Sequence, residues 1–137
     1  MGSNICIIGV YFGNFDNYFN LWMDSAIKNP TIDFLLVTDQ ENVSSTNNIR
    51  VVNTTLGALK DKIENKLGMK VSLKKPYKLC DFKPAYGFIF EEYIENYDYW
   101  GHCDFDLIWG DIRYFLEKYE YEKYDKFLDR GHLTLYK

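Results

Sequence analysis

Asp104 and Asp106 stand two residues apart in the stretch Trp-Gly-His-Cys-Asp-Phe-Asp-Leu-Ile-Trp-Gly-Asp-Ile, residues 100–112. From His102 to Leu107 polar and apolar residues alternate. In an extended strand His102, Asp104 and Asp106 fall on one side, and Cys103, Phe105 and Leu107 on the other. The two carboxylates are then roughly 6–7 Å apart at their α-carbons. Their oxygens can converge on one cation; without it, like charge drives them apart or raises a pKa. Oxygen ligands of this kind suit magnesium or manganese, and a cation held by two carboxylates keeps positions open for a substrate's phosphates. An Asp-x-Asp triplet alone is most often a pair of solvated loop acids. The aromatic and cysteine residues packed around this one, and its place in a strand pattern, favour the metal-site reading.

The surrounding elements have to present that pair. Gly110 reads as a turn and Asp111 as the cap of a short helix from Ile112 to Lys118. Asn4 to Phe12 is a continuous apolar run, the pattern of a strand buried on both faces. Asp16 or Asn17 is placed to cap a helix reaching Ile27, with Phe19, Trp22, Met23 and Ile27 on one face, and Asn29-Pro30 stops it. Ile32 to Thr38 reads as a second buried strand and Ile49 to Asn53 as a third. A helix from Leu56 to Leu67 ends at Gly68. Leu79, Phe82, Tyr86, Phe90 and Tyr93 recur at helical steps, with Pro84 as a kink. His132 reads as a turn residue before a last strand. The fold class expected is α/β, with a mainly parallel sheet of about four strands.

In open parallel sheets ligands bind beyond the carboxyl ends of the strands. Here those ends are Tyr11-Phe12-Gly13, Thr38-Asp39 and the carboxylate pair. A ring at Tyr11 can stack on a base, and Asp39 can accept a base or ribose hydroxyl. Asp39 reads equally well as the opening of a turn. Lys78 and Asp81 are one helical turn apart; the lysine can meet a diphosphate as a point charge, or the two form an ordinary surface ion pair. The candidate nucleotide-binding residues are therefore Tyr11, Phe12, Thr38, Asp39, Lys78, Asp81 and Asp104, and the candidate metal ligands Asp104 and Asp106. The cofactor expected is Mn2+ or Mg2+. No side chain stands out as a catalytic base.

Composition narrows the field. At 137 residues the chain is long enough for one domain with a core of its own. A net charge of −4 and the lack of any basic stripe argue against a nucleic-acid partner. No apolar run is long enough to cross a membrane. Aromatic residues make up 18% of the chain, enough both to build a core and to border a base or carbohydrate pocket. Cys6, Cys80 and Cys103 follow no zinc or disulfide pattern and read as reduced, buried thiols of a cytosolic protein. No glycine-rich dinucleotide fingerprint or P-loop follows the first strand, which argues against an ordinary NAD domain and an ATPase. The chain stops at Thr-Leu-Tyr-Lys inside a strand pattern, so a longer protein is expected.

Three stretches, Tyr-Lys-Leu-Cys-Asp-Phe-Lys-Pro-Ala-Tyr-Gly (77–87), residues 100–112 above, and Asp-Arg-Gly-His-Leu-Thr-Leu-Tyr-Lys (129–137), together resemble a bacterial family of glycosyltransferases of polysaccharide biosynthesis. The first strand and Leu-Leu-Val-Thr-Asp (35–39) are similar too, so the likeness spans nearly the whole chain. The wider resemblance is to the GT-A class of nucleotide-sugar transferases. It implies a Rossmann-like three-layer α/β/α sandwich, the donor-binding half of that class, with residues 1–137 as a single nucleotide-sugar-binding domain in the N-terminal part of a longer enzyme. It implies Asp104 and Asp106 at the metal and ribose, and the strand ends near Tyr11 and Thr38-Asp39 at the nucleoside. The partners implied are a nucleotide-sugar donor and a saccharide acceptor, and the location the cytoplasm or the inner membrane surface. Related families often carry arginine three positions after an aspartate ahead of the motif; here Asp81 is followed at that spacing by Pro84, with Lys83 the nearest cation. Their acceptor site and last metal ligand usually lie beyond the first 140 or so residues. Two other readings stay open: a metal-dependent nucleotidyltransferase or phosphohydrolase, and a non-catalytic nucleotide-binding module.

Overall fold

The computed structural model describes residues 2–137, which fold as α/β around a six-stranded mixed sheet of order β3-β2-β1-β4-β6-β5. The strands are β1 (Ile5–Tyr11), β2 (Asp33–Thr38), β3 (Ile49–Asn53), β4 (Tyr99–Cys103), β5 (Lys126–Arg130) and β6 (Leu133–Tyr136). β1 to β4 are mutually parallel, and β6 runs antiparallel to both β4 and β5. The sheet is thus larger than the four strands expected. β6 answers to the last strand expected after His132, whereas β5 is not among the expected strands: Lys126–Arg130 follows a charged, tyrosine-rich stretch and does not alternate, so the period-2 signal fails.

β1 is central because both its faces are apolar. Ile5 and Ile7 enter one cluster with Phe19, Trp22 and Ala26 of α1 (Phe19–Ile27) and Ile112 and Leu116 of α5 (Ile112–Lys118). Cys6 and Ile8 enter another with Leu59 and Ile63 of α2 (Leu56–Leu67). The period of two along the strand divides these side chains between its faces.

Helix ends follow the sequence where the capping chemistry is strong. Thr55 accepts from the Ala58 N–H at 3.1 Å to start α2, and Gly68, at φ 67, closes it in the left-handed conformation that glycine adopts freely. Asp111 accepts from the Tyr114 N–H at 3.0 Å and starts α5. The start of α1 differs from expectation. Tyr18 occupies its cap position and no side chain caps it; Asp16 instead accepts from the Tyr18 hydroxyl at 2.8 Å. Ile27, expected on the buried face, is exposed, while Ser25 and Ala26 are buried.

The apolar run from Leu79 to Tyr93 does not make one helix. Pro76–Ala85 is a 3-10 stretch, followed by two single-turn helices, α3 (Tyr86–Ile89) and α4 (Glu91–Ile94). Pro84 lacks a backbone N–H and its ring crowds the preceding turn, so one continuous α-helix does not run through it. Gly87 is required at the join: a Cβ there would stand 2.4 Å from the Trp100 ring of β4.

Candidate functional site

The strand order reverses at β1. The chain leaves β1 through α1 to β2 on one side, and returns after β3 and α2 to β4 on the other. A crevice opens at such a reversal, beyond the carboxyl ends of the two diverging strands. A cleft of about 440 Å³ lies there. It is lined by Val10, Tyr11 and Phe12 at the end of β1 and by Cys103, Asp104, Phe105 and Asp106 at the end of β4, with Lys83 and Tyr77 from the 3-10 stretch among its walls. The volume falls within the range of small-molecule sites.

The carboxylate pair does not lie inside a strand. β4 ends at Cys103, and Asp104 to Asp106 form a bend beyond it. The inward and outward alternation persists because Phe105 is anchored by packing. Its ring lies on Gly9 of β1, where a Cβ would come within 2.4 Å of it. It also packs against the rings of Tyr11 at 5.6 Å, Phe15 at 6.1 Å, Phe19 at 6.1 Å and Trp22 at 4.7 Å. With Phe105 driven inward, Asp104 and Asp106 are left at the cleft.

α1 and the residues just after it hold the backbone of this loop. Trp22 Nε1 donates to the Asp104 carbonyl at 3.1 Å. Ser25 Oγ accepts from the Trp109 N–H at 2.9 Å. Asn29 Nδ2 donates to the Gly110 carbonyl at 2.9 Å, and its Oδ1 accepts from the Ile112 N–H at 2.8 Å. Trp22 and Ser25 lie on one side of α1, and Asn29 stands two residues past its end. The sequence marks Asn29 only as a stop and does not single out Ser25; the available signal was a polar residue on the buried stripe of an apolar helix face.

A third donor joins the two carboxylates. The β4–β6 ladder pairs Cys103 with Leu133, so His132 falls opposite Asp104, whose N–H donates to the His132 carbonyl at 3.3 Å. One ligand atom from each of Asp104, Asp106 and His132 lies within 4.8 Å of the others. Two carboxylates and one imidazole at this spacing can converge on a divalent cation, and the mixed oxygen and nitrogen set suits manganese better than magnesium. His102, on the same side of the strand as Asp104, is buried in the sheet, 3.3 Å from the Tyr136 hydroxyl. Burial, with the charge of Lys83 second, pushes its imidazole down to about 4, which leaves it neutral at pH 7.

The electrostatics of the cleft are lopsided. Asp16, Asp104 and Asp106 contribute three carboxylates, and among the described lining residues Lys83 is the one cation. Lys83 Nζ forms an ion pair with Asp104 Oδ1 and lies 3.5 Å from the Gly131 carbonyl. Across the mouth, Tyr18 donates to Asp16, which raises the phenol to about 12.

The other expected residues divide. Tyr11 and Phe12 line the cleft, although one face of the Tyr11 ring is occupied by Phe15, stacked at 4.8 Å. Thr38 and Asp39 end β2 at the same edge of the sheet, beside Tyr11 in register, but outside the described lining. Thr38 is buried and accepts from the Gln40 N–H at 3.1 Å. Asp39 accepts from Gln40 Nε2 and from the Gly13 N–H, each at 2.9 Å, and these bonds hold its carboxyl below the usual range. It ties the loop after β1 to the loop after β2. Lys78 and Asp81 make an exposed ion pair at 3.9 Å outside the cleft lining, which is the surface-pair reading.

Cys80 departs from expectation as well. It is exposed and lines the cleft, whereas Cys6 and Cys103 are buried. Burial pushes the Cys6 thiol up to about 12 and raises Cys103 further. A thiol-reactive reagent is therefore expected to label the native protein once, at Cys80, and the denatured protein at three positions, read by intact-mass spectrometry. Rapid native labelling of Cys6 or Cys103 would contradict this packing.

Among known proteins, the chain belongs to the Family of unknown function (DUF6625), whose profile matches residues 7–137. No curated protein and no solved structure matches it.

Proposed function

We propose, for a chain whose family carries no assigned function, that it binds a nucleotide-sugar donor with Mn2+ or Mg2+ as the donor-binding part of a glycosyltransferase of the GT-A class. The sheet and its helices would then be the Rossmann-like three-layer sandwich of that class, and the reaction the transfer of a hexosyl group to a saccharide acceptor in cell-surface polysaccharide assembly.

The observation that carries the reading is the convergence of Asp104, Asp106 and His132 at the mouth of a cleft at the strand-order reversal. The resemblance of residues 77–87, 100–112 and 129–137 to glycosyltransferases supports it from the sequence side. Charge supplies a further argument. With three carboxylates against one ammonium, the cleft repels a free diphosphate, so an anionic donor needs a cation bound first. Asp104, Asp106 and His132 would hold that ion; when bound, it supplies positive charge that stabilises the leaving diphosphate. Phe105, packed into the core, fixes the two carboxylates in position. The apolar wall from Tyr11 to Phe12 offers a surface for the nucleoside, with Tyr77, 80% exposed at the rim, free to close over it.

The test is calorimetric titration of UDP and GDP in MnCl2 and again in excess chelator. At least one nucleotide is expected to bind about tenfold or more tightly with the metal, the scale of one strong charge contact. Equal affinity in the two conditions would remove the metal from the reading and with it the glycosyltransferase assignment.

A further inference from the structure

Lys83 is held in a place that conflicts with a loaded metal site. Its side chain is 14% exposed, and its ammonium is in contact with Asp104 Oδ1. The other oxygen of the same carboxylate, Oδ2, faces Gly131, where a Cβ would stand 3.2 Å from it, next to His132 in the chain. One carboxylate thus serves two claimants: the lysine on Oδ1, and the triad with Asp106 and His132. A divalent cation bound through Asp104 would lie within a few ångströms of the ammonium. Like charges at that range repel strongly in a partly buried site.

Resting on the function proposed above, we infer that Lys83 is an exchangeable counter-ion. Without metal its ammonium neutralises Asp104 and keeps the acidic mouth in shape. With metal it is displaced from Asp104 and turns toward the diphosphate that the same cation holds. Three observations carry this. The lysine is the one cation among the described lining residues. It sits on a 3-10 stretch, which hydrogen-bonds less well than an α-helix and adjusts more readily. Its second contact, the Gly131 carbonyl at 3.5 Å, is weak. A four-carbon stem with one compact charge is suited to move between two anions a few ångströms apart.

The inference has a signature that a structural ion pair lacks: opposite effects on two ligands. Mn2+ alone, titrated by calorimetry, is expected to bind Lys83→Met about tenfold more tightly than the parent, because the competing charge is gone. UDP or GDP in saturating MnCl2, whichever binds the parent, is expected to bind the same variant about tenfold more weakly, because a phosphate contact is gone. Lys83→Gln should repeat the pattern, and Lys83→Arg should keep both affinities within about threefold. Unchanged or weakened Mn2+ binding by both neutral variants, judged folded by circular dichroism, overturns the inference. So does nucleotide binding that does not fall. Should the parent bind Mn2+ and nucleotide as proposed while the lysine variants show no opposed shifts, the exchange fails and the function stands. Should the parent bind no Mn2+, both fail.

Discussion

Replacing Asp104 and Asp106 together by alanine is expected to abolish manganese-dependent nucleotide binding, a loss of at least about 100-fold, since even indirect partners of metal ligands are worth 10- to 100-fold. The expectation follows from the donor set. Removing two of three ligands leaves His132 alone, and a single imidazole on an exposed turn does not retain a divalent cation. The fold should survive. Asp106 is exposed and accepts no hydrogen bond from any described residue, and the loop is anchored by Phe105 and by α1 rather than by its carboxylates. Asp104 loses its ion pair with Lys83, a partly exposed contact worth at most about 1 kcal/mol. Calorimetry gives the affinity, and thermal unfolding without ligand gives the control. A variant that binds UDP or GDP with the parent's manganese dependence would place the metal elsewhere.

The largest effect on stability is expected at Trp22. Its side chain is 1% exposed, with ring contacts to Phe19, Phe34, Phe105 and Trp109. Truncating such a ring to alanine costs about 3–5 kcal/mol, transfer and cavity terms together. Against a total stability of about 5–15 kcal/mol, that is enough to bring the domain close to unfolding. Trp22→Phe retains most of the volume and removes the Nε1–H donor to the Asp104 carbonyl. It should cost about 1–3 kcal/mol, the range for a buried acceptor left without its partner. Urea denaturation at 25 °C measures both. A loss under about 1 kcal/mol for Trp22→Ala would mean that the aromatic cluster is not what holds the loop.

Much of this arrangement could be read from the sequence, and the failures have physical causes. β3 and α2 match their expected bounds, because Thr55 and Gly68 mark the helix ends with strong local chemistry and Ile49–Asn53 is a short run between turn residues. The pairing of Asp104 with Asp106 on one side was legible because it depends only on alternation. Where the strand ends was not, since that depends on whether β6 and β1 continue the ladder. His132 was invisible as a ligand for a related reason. Its approach to Asp104 is set by antiparallel register across some thirty residues, which no local pattern encodes. Lys83 is visible in the sequence only as the cation nearest the position that Pro84 fills in the Asp81 motif. Its reach to Asp104 depends on how the 3-10 stretch packs over the strand ends, which no local spacing encodes.

The hairpin of β5 and β6 has a consequence for how cation binding would couple to the sheet. Everything that shapes the cleft comes from before residue 113, but the third donor comes from a hairpin that must close a long loop before it can dock on β4. Any state in which the hairpin is undocked would carry a two-ligand half-site of low affinity, and full affinity would require His132 in place beside Asp104. Cation binding would then act as a thermodynamic latch on the hairpin, drawing on the free energy of coordination to hold an edge of the sheet that local sequence specifies weakly.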